Sequence, residues 1–167
     1  PVGCPSLDVL LGAREIAGEV LNKMCGIETR KKFILIIQHT VTTEIDEVSV
    51  HIKTTLDAVK EVGVPALLLY PNNDAGAHAI LKAIQGTNIH HVRTLSYEVF
   101  ANVLKRAAVL VGNSSTGIHE TATFKIPTVN IGDRQQGRMH PKNVLDVPNE
   151  KKAIEKAIHT ALYDTIF

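Results

Sequence analysis

Cysteine is scarce in this sequence: two among 167 residues, Cys4 and Cys25, with neither in a CxxC or Cys/His spacing. That excludes the usual zinc patterns and a disulfide framework, and it implies a reduced, cytoplasmic setting in which both thiols behave as small hydrophobes. No apolar stretch approaches the roughly 20 residues that cross a bilayer, and the first residues lack the basic-then-apolar order of a signal peptide. The expectation is a soluble protein that is not exported. A block of one charge is also missing: 18 basic and 17 acidic residues are spread along the chain for a net charge of +1, which points to neither nucleic acid nor an anionic membrane. Internal repeats, low-complexity tracts and linkers are absent, and no histidine pair has the spacing of a metal site, so no metal is expected.

What remains has the size of one domain, and 44% hydrophobic content builds a core without cross-links. The chain opens at Pro1, without an initiator methionine and straight into a structured-looking stretch, as an excised domain would.

Short apolar runs alternate with longer amphipathic ones. Phe33–Ile37, Ala66–Tyr70, Ile89–Val92, Val109–Val111, Thr128–Ile131 and, more weakly, Val144–Val147 lack polar alternation, as strands buried on both faces of a parallel sheet do. Between them the period becomes helical, in Val48, Ile52, Leu56, Val59 and Val62, in Ala77, Ile80, Leu81 and Ile84, and in Val99, Val103, Leu104 and Ala107. A last helix is predicted from an Asn149 cap through Leu162, and a first one across Ser6–Met24. The repeated order implies an α/β fold: a Rossmann-like, doubly wound parallel sheet of about six strands with helices on both faces. Ligands of such sheets bind beyond the carboxyl ends of the strands.

Four strand ends carry candidate chemistry. Gly112-Asn113-Ser114-Ser115-Thr116-Gly117-Ile118-His119-Glu120 runs from a strand into small hydroxyl and glycine residues with a helix starting near Thr116, the outline of a phosphate cradle. It matches neither GxxxxGK[ST] nor GxGxxG, and as an isolated string it is equally a loop with an N-cap. Glu120, one turn into that helix, suits a ribose diol or a sugar hydroxyl. His39 sits at the tip of the first strand, where it can donate to a phosphate, transfer a proton or serve structure. In Tyr70-Pro71-Asn72-Asn73-Asp74-Ala75-Gly76, Asp74 is the expected cap of the next helix and one asparagine is left for a ligand. Arg134 and Arg138, in a glycine-containing loop after the fifth strand, could clamp a diphosphate or stay solvated. His51, His78, His90, His91 and His159 are read as structural or surface residues.

Taken together, His39-Thr40-Val41-Thr42-Thr43-Glu44, Pro71-Asn72-Asn73-Asp74-Ala75-Gly76, Gly112–Ile118 and Asn130-Ile131-Gly132-Asp133-Arg134-Gln135-Gln136-Gly137-Arg138 resemble the hydrolysing UDP-N-acetylglucosamine 2-epimerases. Gly3-Cys4-Pro5-Ser6-Leu7-Asp8 resembles the segment that leads into their C-terminal domain. The resemblance implies a GT-B-like architecture of two facing Rossmann-type domains, of which this chain is the C-terminal, nucleotide-sugar-binding one. It further implies that Ser114 and Ser115 hold the diphosphate with Gly117 among the UDP-binding residues, that His39 contacts a phosphate and takes part in catalysis, and that Glu120 binds the ribose. By the same likeness Asn72, Arg134 and Phe100, the last beside the uracil, line the site. Expected partners are a UDP sugar such as UDP-N-acetylglucosamine and an N-terminal domain, with a homo-oligomer at full length and no cofactor.

The chain departs from the family in having Thr40 where proline is usual after the histidine. The acidic residues the family uses for proton transfer lie mainly on the N-terminal domain, so this chain alone is expected to be inert. Val41-Thr42-Thr43 replaces the arginine-rich stretch of the non-hydrolysing epimerases, which favours the hydrolysing branch. A GT-B glycosyltransferase, which would use the same cradle for transfer to an acceptor, and a stand-alone nucleotide-binding module are the other readings; fold alone does not separate them.

Overall fold

The computed structural model describes residues 4–164. Its elements are α1 (Pro5–Leu11), α2 (Gly18–Cys25), β1 (Ile34–Ile37), α3 (Val48–Val62), β2 (Ala66–Leu69), α4 (Ala77–Gln85), β3 (His90–Val92), α5 (Tyr97–Arg106), β4 (Val109–Gly112), α6 (Thr116–His119), β5 (Thr128–Ile131), β6 (Val144–Val147) and α7 (Lys151–Tyr163).

The six strands form one sheet in the order β3-β2-β1-β4-β5-β6, every pair parallel. Side chains alternate across a strand, so a strand apolar at every position must be covered on both faces. β1 shows this directly. Ile34 and Ile36 pack with α3, α4 and α7, while Leu35 and Ile37 pack with α2 and α5. The strand order reverses between β1 and β4: β2 and β3 lie to one side of β1, and the chain then crosses back to lay β4, β5 and β6 on the other. That switch point opens a crevice at the carboxyl ends of β1 and β4, where His39 and Asn113 follow directly.

Three local expectations are corrected. The helix expected across Ser6–Met24 is two helices, because the extended segment between them gives its backbone groups to α5: Asn102 accepts from the Ile16 N–H (2.9 Å) and donates to the Arg14 carbonyl (2.8 Å), and Arg106 donates to the Ile16 carbonyl (2.7 Å). Asn149 does not cap α7; Glu150 holds that position without a side-chain bond, and the Asn149 amide lies against Gly132, where an added Cβ would come within 2.8 Å of it. Asp74 does not cap α4 either. Gly76, at φ +87°, occupies the cap, and Asp74 is engaged with Asn72 and Arg134. Strand bounds otherwise shift by a residue at most, and no helix of the described residues is long and apolar enough to cross a membrane.

Candidate functional site

Gly112 ends β4 at φ +137°, and a Cβ there would stand 2.2 Å from the Ile37 carbonyl oxygen. Only glycine permits that approach, and it brings the tips of β1 and β4 together. Asn113, next in line and buried, then bridges them with its carboxamide: its Oδ1 accepts from the His39 N–H (2.8 Å) and its Nδ2 donates to the His39 carbonyl (2.9 Å). The Asn113 carbonyl in turn accepts from Gln135 Nε2 (2.8 Å) and Arg134 Nη1 (3.2 Å). One residue therefore organises the ends of β1, β4 and β5, through its side chain and its carbonyl.

The His39 ring is fixed as well. Its Nδ1 accepts from the Asn72 N–H at 3.2 Å, so the proton of the neutral imidazole sits on Nε2. Burial, and secondarily the Arg134 cation, press its pKa down to about 4, with the Asp74 carboxylate opposing. Near neutral pH the ring is an uncharged Nε2–H donor. Of the three roles open in the sequence, hydrogen-bond donation to a ligand is the one this state serves best. Because the folded pKa lies below the unfolded value of about 6.5, stability is untouched above pH 6.5 and drains as pH falls toward 4. A proton NMR titration of the ring should show His39 neutral at pH 5.5 in the free protein; a midpoint near 6.5 would remove the burial account.

The cradle is smaller than its sequence suggests. α6 is a single turn, and Glu120 is its C-terminal cap instead of an interior residue. The Gly117 N–H is spent on the Ser114 carbonyl (3.1 Å), and an added Cβ at Gly117 would meet Thr128 Cγ2 at 2.5 Å. What Gly117 offers is therefore close packing on β5. Among the described residues, the N–H groups of Ser114 and Ser115 meet no acceptor, and the Thr116 N–H has only a long 3.3 Å contact with Ser114 Oγ. Glu120 Oε1 accepts from Ser6 Oγ (3.1 Å), which the α1 segment carries in; Oε2 is buried and unpartnered. Cys4 Sγ lies 2.9 Å from the same Ser6 hydroxyl, so only buried Cys25 behaves as a plain hydrophobe.

Beside the cradle a groove of about 280 Å³ runs across the ends of β1, β2 and β3, lined among others by His39, Ser114, Thr116, Phe100, Arg93 and Tyr97. Phe100 thus shares a concavity with His39 and Ser114. Larger hollows of about 520 and 600 Å³ open at the amino ends of the strands, away from these residues, and size alone would point to the wrong end of the sheet. Asn72 is placed differently from the expectation: its Nδ2 is bound to Asp74 (2.7 Å), and its main contribution is the N–H that sets the His39 tautomer. Arg134 Nη2 stands 3.9 Å from Asp74, while Arg138 turns away to His119 (3.4 Å). Asn113, Gln135, Arg93 and Tyr97 escaped the sequence reading. Position after a strand end was the available signal for Asn113 and Arg93; nothing local marked the others.

The chain is a doubly wound α/β domain whose switch point, where such folds take their ligands, brings together free amides, a neutral imidazole donor and an arginine. The family model described as UDP-N-acetylglucosamine 2-epimerase matches residues 1–166, and the chain belongs to that family. It is 32% identical over 165 residues to a UDP-N,N'-diacetylbacillosamine 2-epimerase (hydrolyzing) of Legionella pneumophila, covering 96% of this chain and 44% of that protein. It is 30% identical over 163 residues to a UDP-N-acetylglucosamine 2-epimerase of Neisseria meningitidis, covering 96% and 43%. The crystal structure of a UDP-GlcNAc 2-epimerase from Neisseria meningitidis, bound to UDP-GlcNAc, shares the fold with a TM-score of 0.69 at 15% identity, over 93% of this chain and 43% of that one. The chain thus spans less than half the length of these relatives.

Proposed function

We propose that this chain is the nucleotide-sugar-binding domain of a hydrolysing UDP-sugar 2-epimerase, with UDP-N-acetylglucosamine or a near relative as its substrate. The observation that carries the reading is the pairing, at the two ends of the single turn α6, of the unbonded Ser114 and Ser115 amides with a Glu120 carboxylate that keeps a buried, unpartnered oxygen. Amides suit the diphosphate, and the orphan oxygen suits a ribose hydroxyl, which would relieve the desolvation cost of leaving it bare. Phe100, in the adjoining groove, gives the uracil an aromatic neighbour, and His39 Nε2–H and Arg134 add donors for the phosphates.

In the proposed reaction a base takes the C2 proton while the C1–O bond breaks, its electron pair leaving with UDP; water then adds to the glycal-like product. Ser114, Ser115, His39 and Arg134 serve the departing diphosphate. The base belongs to the part of the enzyme outside this chain. A hydrolysing relative at 32% identity supports the hydrolytic outcome, as does the Val41-Thr42-Thr43 stretch.

Glu120→Gln removes the charge while keeping the shape, so UDP affinity measured by calorimetry should fall about tenfold or more, with the melting temperature nearly unchanged. A variant that melts far lower yet binds UDP normally would make Glu120 a structural residue and overturn the ribose assignment.

A further inference from the structure

The His140 ring meets an acceptor at each nitrogen: Nδ1 stands 2.7 Å from Asp146 Oδ2 and Nε2 3.1 Å from the Gln135 carbonyl oxygen. A neutral imidazole has only one N–H and would turn a lone pair on one of these oxygens, so the geometry calls for the doubly protonated ring. Both contacts raise its pKa, the Gln135 carbonyl foremost and Asp146 next. The side chain is 20% exposed. Asp146, on β6, also accepts from Asn130 of β5 at 2.7 Å, so the anchor point of the ring is itself tied to the sheet.

Gln135 links this pair to the site. Its carbonyl is held by His140, while its buried side chain donates to the Asn113 carbonyl at 2.8 Å, the same oxygen that receives Arg134 Nη1. Asn113 clamps the His39 backbone. Among the described residues, the ring is faced by one charged group, Asp146 from β6, and by the neutral Gln135 carbonyl from the loop; the loop's own cations are engaged elsewhere, Arg134 at Asn113 and Asp74, Arg138 at His119.

We propose that His140, as an imidazolium bridging Asp146 and the Gln135 carbonyl, is a positioning residue that holds the Gly132–Arg138 loop with Arg134 at the phosphate cradle, so that nucleotide affinity depends on its protonation. This rests on the nucleotide-binding reading of the same cradle. Deprotonation leaves a lone pair against one oxygen, frees the loop and lets Arg134 leave the Asn113 carbonyl. His39, already neutral, does not titrate in this range.

The test has two arms on the 167-residue chain. In the first, nitrogen-15 NMR of the ring should show both nitrogens protonated at pH 6, with a midpoint above the ordinary histidine value, and the backbone amides of Arg134 and Gln135 should shift with that midpoint. In the second, UDP affinity is compared with that of His140→Gln: the variant should bind roughly three- to tenfold more weakly at pH 6, with the difference vanishing by pH 9. Titration of UDP itself is common to both proteins and cancels in the ratio. A singly protonated ring at pH 6, amides at 134 and 135 that ignore its titration, or equal affinities at both pH values would overturn the proposal. Wild-type protein that binds no UDP at any pH would overturn the nucleotide reading instead, and the ring and amide titrations would still decide whether His140 holds the loop.

Discussion

Gly112→Ala should lower stability by roughly 2–4 kcal/mol in chemical denaturation. Two effects combine. The φ of +137° is one an L side chain rarely adopts, and the new methyl would lie 2.2 Å from the Ile37 carbonyl oxygen, a backbone atom that cannot rotate aside. Relief requires β1 and β4 to separate at their carboxyl ends, the place where Asn113 bridges to His39, so nucleotide binding should fall with stability. A variant as stable as the wild type would show that the close approach of the two strands is not needed.

If the proposed reaction holds, His39→Ala should lower the rate of UDP release by roughly 10²-fold once the chain is joined to the remainder of a family-length enzyme, because a donor to the departing diphosphate would act where charge develops. With its backbone clamped by Asn113 and its ring Nδ1 held by the Asn72 N–H, the neutral imidazole presents Nε2–H without needing to reorganise. Full activity in the variant would reduce His39 to a structural role, and turnover by the 167-residue chain alone would contradict the placing of the base outside it.

Much of this was legible in the sequence because local physics and global fold agree. Ile34–Ile37 shows no polar alternation since both its faces are covered, and that pattern is visible in the string itself. Position after a strand end marks His39, Ser114, Ser115 and Arg134 as candidates in the string itself. What stayed hidden depends on partners distant along the chain. The break between α1 and α2 is dictated by Asn102 and Arg106, nearly ninety residues on. Asn113 resembles any turn asparagine until its carboxamide is seen against His39, 74 residues away. The helix caps differ too: Asp74 and Asn149 have the right chemistry for an N-cap, yet Asp74 is engaged by Asn72 and Arg134, and the Asn149 amide is packed against Gly132. In the string Gly117 looks like a ligand-binding glycine, whereas in the fold its absent Cβ permits close packing on β5.

Nucleotide selectivity tests the central claim most directly. Calorimetric titration of the 167-residue chain with UDP should give a dissociation constant between micromolar and millimolar, about −4 to −8 kcal/mol, since one face of the cleft is present, with AMP binding at least tenfold more weakly. Equal affinity for UDP and AMP, or no binding of either, would contradict the assignment of this strand-end site to a uridine diphosphate sugar.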